Sequence, residues 1–293
     1  MIRLNIGQTI RKSMEKNIIA VLSGKGGTGK TMVSVNLACI LPGAAYSDCD
    51  VEEPNGHLFF KPTQLSEKNV DILIPKIDRE KCTGCTKCVD FCKFNALAYV
   101  GKVLVFEEIC HYCGGCTIVC PEKAITETNY NIGKIVQGFF ERTKVISGFL
   151  NVGAISGVPI IKEIHKQIKE ERNTVIVDCP PGSSCAVMES IQASDYCILV
   201  SEPTIFGAHN LDMVYRLVKL LNKKCGVILN KCDGNYNPSE DYCLENDINI
   251  IARIPYDSEL SDINGNGKIA VKESDLYRGV FQDIIKEIEK VLS

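Results

Sequence analysis

From Gly24 the chain reads Gly24-Lys25-Gly26-Gly27-Thr28-Gly29-Lys30-Thr31, which meets the pattern G-x-x-x-x-G-K-[ST] at every position. That spacing is chemistry for a phosphate chain. Glycines let successive backbone N–H groups turn inward around oxyanions. A helix starting at the end of the loop adds the partial positive charge of its N-terminus. Lys30 supplies a full charge to the outer phosphates, and the Thr31 hydroxyl offers a ligand to Mg²⁺. A second anchor is Thr174-Val175-Ile176-Val177-Asp178-Cys179-Pro180-Pro181-Gly182. Its apolar run reads as a buried parallel strand. The strand ends in Asp178, placed to hold the water shell of Mg²⁺. Gly182 follows, with a backbone N–H that can sense a γ-phosphate.

Cysteine makes the other constellation. The chain holds 16, and eight of them form two runs, Cys82-x-x-Cys85-x-x-Cys88-x-x-x-Cys92 and Cys110-x-x-Cys113-x-x-Cys116-x-x-x-Cys120-Pro121. This is the spacing of bacterial two-cluster ferredoxins, given twice. Two-residue spacers let one loop present three thiolates to three irons of a cube, while the fourth cysteine points the other way. Cys82, Cys85, Cys88 and Cys120 are therefore assigned to one 4Fe–4S cluster, and Cys110, Cys113, Cys116 and Cys92 to the other. The repeat extends further, since Cys92-Lys93-Phe94-Asn95-Ala96-Leu97 parallels Cys120-Pro121-Glu122-Lys123-Ala124-Ile125. Lys93 stands where the second copy has proline. Gly84, Gly114 and Gly115 are expected to let backbone N–H groups approach cluster sulfurs. Zinc, the rival ion for paired cysteines, takes four thiolates per site and has no use for a triple-plus-one arrangement.

These residues need elements to position them. Ile18 to Leu22 is a short apolar strand, and Val33, Val35, Leu37 and Ala38 mark the helix after the glycine loop. Ala44 to Asp50 reads as a strand ending in two carboxylates, Asp48 and Asp50. Ile160 to Arg172 is an amphipathic helix, and Tyr196–Val200 and Gly226–Lys231 are further strands. Alternation of this kind gives an α/β fold with a doubly wound, mostly parallel sheet, whose ligands sit at the carboxyl ends of the strands. Within 293 residues there is room for one large α/β domain and a smaller insert. The expected division is 1–75 and 128–293 for the large domain, with 76–127 as an inserted small α+β unit of the 2[4Fe–4S] ferredoxin type. A net charge of −3 gives no footprint for nucleic acid. No apolar run reaches the length of a membrane span. Met1 to Asn17 mixes Arg3, Arg11, Lys12 and Lys16 with polar residues and is no secretory signal. Clustered cysteines without such a signal point to a cytoplasmic protein.

The second lysine of the glycine loop, Lys25, carries a resemblance. Gly24 to Thr31 is similar to the deviant phosphate loop of the MinD/Mrp and nitrogenase iron-protein superfamily. The resemblance implies a Mg-ATP-dependent ATPase that dimerises through its ATP face, with Lys25 crossing to the partner's nucleotide. Asp50 then matches the carboxylate that positions the attacking water, and Asp178 to Gly182 the second switch. Asn230 matches the asparagine that reads the adenine edge, and Pro255, in Ile254-Pro255-Tyr256-Asp257, belongs to the loop packed on the base. Val51-Glu52-Glu53-Pro54-Asn55 resembles the ferredoxin-bearing branch. Cys185 lies where the nitrogenase iron protein has one ligand of a cluster shared between subunits, but 148–158 holds no cysteine for the second.

Two stretches are read against their motifs. Asp262-Ile263-Asn264-Gly265-Asn266-Gly267 with Glu273 fits a calcium-loop pattern, yet its flanks lack two good helices. Tyr277 to Ser293 is amphipathic without a basic face, and is expected to pack on the large domain rather than on a membrane. Three functions remain open. They are iron–sulfur or metallocofactor assembly with ATP-coupled redox, ATP-gated electron donation to a redox or cofactor-accepting partner protein, and positioning of the MinD kind.

Overall fold

The computed structural model describes residues 16–234 and 236–292. Most of the Met1 to Asn17 segment, and Ser293, lie outside them. In chain order come β1 (Ile18–Leu22), α1 (Lys30–Ile40), β2 (Ala45–Asp48), α2 (Gly56–Phe60) and β3 (Thr63–Ile77). Next are α3 (Lys87–Phe91), β4 (Leu97–Tyr99), β5 (Val103–Val105), α4 (Gly115–Val119), β6 (Ile125–Phe140) and β7 (Thr143–Leu150). Then follow α5 (Val158–Glu170), β8 (Val175–Asp178), α6 (Cys185–Ile191), β9 (Tyr196–Ser201), α7 (Ile205–Leu220), β10 (Lys224–Cys232) and α8 (Pro238–Glu245). The chain closes with β11 (Ile250–Pro255), α9 (Ser258–Gly265), α10 (Ala270–Glu273) and α11 (Asp275–Leu292).

One sheet of nine strands runs in the order β11-β10-β9-β1-β8-β2-β7-β6-β3. From β11 to β7 every pair is parallel, and β6 and β3 add antiparallel at one edge. The central strands are apolar on both faces because helices cover both. One core layer includes Leu22, Val177, Leu199, Ile160 and Leu211. The opposite layer sets Val21, Ile176 and Ile198 against Leu37 of α1 and Phe281, Ile284 and Ile288 of α11. The amphipathic tail thus spends its apolar stripe on the core. Among the described residues no helix is long and apolar enough to cross a membrane.

β3 and β6 form an arm. They pair from Thr63↔Phe139 to Ile77↔Ile125, whereas β7 pairs with β6 only over Gly133–Phe140. About eight residues of each strand therefore extend beyond the sheet, a reach of about 25 Å. At its root the Asn131 amide nitrogen lies 3.0 Å from Asp71 Oδ1, and the Asn151 amide lies 3.0 Å from Asn131 Oδ1. Next to Asn151, the Leu150 N–H donates to the Val51 carbonyl at 2.8 Å. The arm's root at Asn131 is thus joined to Asp50 by a short path through Val51, Leu150 and Asn151.

At the far end of the arm, residues 78–124 repeat themselves with an internal two-fold. Ile77↔Ile125 in the arm corresponds to Val105↔Leu97 in the β4–β5 pair. The Asp78 N–H donates to Ala124 O at 2.7 Å, and its counterpart Phe106 N–H donates to Ala96 O at 2.8 Å. Each short helix starts after a left-handed residue, Thr86 or Gly114, and ends on a fourth cysteine, Cys92 or Cys120. The start of each copy is tied to the end of the other, which is what crosses the cysteine sets.

The stretch from Asp262 is not a calcium loop. Asp262, Asn264 and Gly265 lie inside α9, which Asp257 caps by accepting from the Glu259 N–H. Glu273 is paired with Lys268 at 2.9 Å. A capped helix turns these side chains away from one another, so they cannot surround an ion.

Candidate nucleotide site and cysteine cavities

The glycine loop joins β1 to α1 as its sequence requires. Gly29 has φ +94°, and a Cβ there would lie 2.2 Å from the Asn230 amide nitrogen, so no other residue fits. The Thr28 hydroxyl is buried with no partner, a polar atom left for a ligand. Lys30 is buried and its ammonium lies 2.7 Å from Asp178 Oδ1 and 3.8 Å from Asp50 Oδ2. Burial pushes the Lys30 ammonium toward neutrality, but Asp178, Asp50 and Asp48 outweigh it and hold its pKa above the ordinary value. Thr31 follows in the first turn of α1.

Asp178 stands directly opposite Asp48 in the β2–β8 register. Two carboxylates side by side in a buried site cannot both stay charged. Asp178 sits among donors: Lys30, the Ser34 hydroxyl at 3.0 Å and the Tyr46 hydroxyl at 3.0 Å. Asp48 is the neutral partner. Burial and the neighbouring Asp178 push its pKa up to about 8. Tyr46 has one hydroxyl proton and lies 3.3 Å from Asp48 Oδ2. That single proton serves Asp178 at 3.0 Å or Asp48 at 3.3 Å, but not both at once. Asp50, pushed up to about 6 by burial against the pull of Lys30, sits at the mouth of the loop.

Several expected site residues have contacts that sequence reading did not foresee. The Asn230 amide, matched to an adenine reader, donates to the Thr28 carbonyl at 2.7 Å and is buried. It braces the glycine loop with one of its two amide N–H donors. The Gly182 N–H donates to the Ser23 carbonyl at 2.8 Å. Lys25 reaches to Glu202 of its own chain at 2.5 Å. Pro255 ends β11 beside Cys232, its register partner on β10. Glu202, Tyr46 and Lys231 were missed. Tyr46 and Asp48 share a strand face by alternation, and Glu202 is a carboxylate at a strand end, so the signal existed but carried no motif.

The eight clustered cysteines sort as their spacing requires. Cys82, Cys85, Cys88 and Cys120 line one cavity, together with Ile77, Val103 and Ile125. Cys92, Cys110, Cys113 and Cys116 line another, under the stacked rings of Phe94 and His111. All of them are free thiols. Burial raises the pKa of Cys88, Cys110 and Cys116. Among the described residues no three His, Cys, Asp or Glu side chains converge tightly enough to hold a single ion. At Gly115 a Cβ would lie 2.2 Å from the Phe91 ring, so the glycine also lets the two short helices pack. Cys185 opens α6, is exposed, and lines neither cavity.

The family model of the CobQ/CobB/MinD/ParA nucleotide binding domain matches residues 19–271. The chain belongs to this family. The protein MJ0579 of Methanocaldococcus jannaschii is similar to it, with 32% identity over 268 residues, 89% of this chain and 94% of that protein. The ferredoxin MJ0722 of the same organism is 41% identical over 54 residues, 17% of this chain and 70% of that protein. Among solved structures, MinD of Pyrococcus horikoshii complexed with Mg-ADP has a TM-score of 0.59 at 20% identity, covering 95% of this chain and 98% of that one. At that identity the likeness is one of fold, an α/β architecture with a mostly parallel central sheet.

Proposed function

We propose that the chain is a Mg-ATP-dependent dimeric ATPase that carries two 4Fe–4S clusters and couples their redox chemistry to nucleotide in metallocofactor assembly or maturation. The observation that carries this reading is the sorting of eight thiols into two sets of four, on an arm whose root is joined to Asp50 beside the glycine loop. Lys30 and the loop amides would hold the β- and γ-phosphates, Thr31 the metal, and Asp178 the metal's water shell. Asp50 would orient the attacking water, with Pro255 beside the base. Lys25 would cross to the partner's nucleotide. Exposed Ile205 and Phe206, 68% and 75% accessible at the start of α7, give that face an apolar surface to bury.

The thiol sets fit the proposed group. Each supplies four soft donors with the triple-plus-one spacing, and two sets crossed over an internal two-fold suit two clusters of one kind. Bound there, the clusters would supply one-electron transfer. With four thiolates each they have no open position, so they stay in place. A transferable cargo would need another site, and exposed Cys185 on the ATP face is the candidate. Residues 76–127 would then form the ferredoxin unit, and the path from Asp50 through Val51, Leu150 and Asn151 to Asn131 supports coupling to it.

A second reading, ATP-gated electron donation to a partner protein, rests on that same arm. An anaerobic EPR-monitored redox titration, with and without a non-hydrolysable Mg-ATP analogue, separates them. A nucleotide-induced shift in potential supports coupling and moves electron donation ahead. Unchanged potentials in a closed dimer would leave assembly at Cys185. A chain that binds neither ATP nor iron would end the proposal.

A further inference from the structure

Glu202 lies at the end of β9, where the sheet delivers ligand-facing residues. Its side chain is only 12% exposed, yet it meets two ammonium groups, Lys25 Nζ at 2.5 Å from Oε2 and Lys231 Nζ at 2.6 Å from Oε1. Its backbone carbonyl accepts from the Ser239 hydroxyl at 2.6 Å, so the residue is held from both ends. Lys231 also donates to the Gly27 carbonyl at 2.7 Å, and adopts φ +60°, a conformation that a lysine takes only when its surroundings require it. One carboxylate therefore ties both lysines to the glycine loop. Burial pushes the Glu202 pKa up, but the hydrogen bonds from Lys231 and Lys25 outweigh it and hold it below the ordinary carboxylate value.

We propose that Glu202 is a positioning residue that parks Lys25 in its own subunit and releases it when the dimer closes. The inference rests on the reading in which Lys25 crosses to the partner's nucleotide. The geometry makes the release feasible. Lys25 is the more weakly held of the two lysines, since Lys231 has a second partner in Gly27. When Lys25 leaves, Lys231 remains on Glu202, so the carboxylate is never buried without a counter-charge. Lys25 itself is 39% exposed and can swing without disturbing the core. The same pairing sets a threshold. Each subunit must give up one partly buried ion pair to dimerise, so nucleotide-free chains stay apart and the phosphate charge decides when Lys25 moves.

A structural role for Glu202 and a parking role predict opposite signs. Glu202→Gln keeps the shape and removes the charge, and Glu202→Ala serves as a second variant. Sedimentation equilibrium of the full chain with a non-hydrolysable Mg-ATP analogue reads the dimer dissociation constant. Parking predicts a tighter dimer, by about tenfold, from the loss of a partly exposed ion pair at each subunit. In a Lys25→Ala background, which is expected not to dimerise on nucleotide, the same Glu202 substitution restores no dimer. An equal or weaker dimer in Glu202→Gln, or the same gain without Lys25, overturns the inference while leaving the dimer reading intact. If the wild-type chain stays monomeric with the analogue, the dimer reading falls and this inference falls with it.

Discussion

Lys30 Nζ lies 2.7 Å from Asp178 Oδ1, so a buried ammonium and a buried carboxylate balance each other at the carboxyl end of the sheet. Both are buried, 7% and 1% exposed, and neither could stay charged alone. Lys30→Ala is expected to do two things. It abolishes ATP binding, read by calorimetry, and it destabilises the protein by about 3 kcal/mol, because Asp178 is left buried and unpaired. Adding Asp178→Asn to Lys30→Ala recovers part of that stability in chemical denaturation. No recovery would mean that the pair is not what holds the two strands' ends.

Asp48 gives the protein's stability a pH dependence of definite sign. Its folded pKa is raised to about 8, above that of the unfolded chain, by burial and by Asp178. The folded state therefore keeps a proton that the unfolded state has lost, and stability falls as pH rises from the ordinary carboxylate range to about 8. Thermal melts from pH 5 to 8 should show this loss, and Asp48→Asn should flatten it. A wild-type melting temperature that rises over that range through this residue would contradict a neutral Asp48.

Much of this was legible in the sequence for local reasons. The glycine loop, the apolar strands at Ile18 and Val175, and the crossed cysteine sets depend on spacing within a few residues. The arm was not. β3 and β6 carry polar runs such as Ser66-Glu67-Lys68-Asn69 and Thr126-Glu127-Thr128-Asn129, solvated on both faces, so neither shows a periodic apolar stripe. The pairing of Lys25 with Glu202, and the bracing of the loop by Asn230, join residues about 180 and 200 positions apart. No local pattern carries such contacts. The calcium pattern failed for the opposite reason: it matched locally, and the cap at Asp257 favoured a helix.

The crossed cysteine sets make a site-selective expectation. Cys120→Ser should damage the cluster held mainly by Cys82, Cys85 and Cys88, and Cys92→Ser the one held by Cys110, Cys113 and Cys116. EPR of the reduced proteins, with its two signals compared, checks this. Loss of the same signal in both variants would overturn the crossing.

Lys25→Ala should still bind Mg-ATP, because Lys30 and the loop amides remain, but should lose nucleotide-driven dimerisation. Light scattering with the analogue present tests it. A Lys25→Ala protein that dimerises as the wild type does would remove the trans role.

The most direct measurement is the iron and acid-labile sulfide content of the chain purified without oxygen, with Mössbauer spectra of the same sample. Expected are about eight iron and eight sulfide per chain, all as 4Fe–4S. Zinc in place of iron, or iron without sulfide, would contradict the cluster-bearing ATPase.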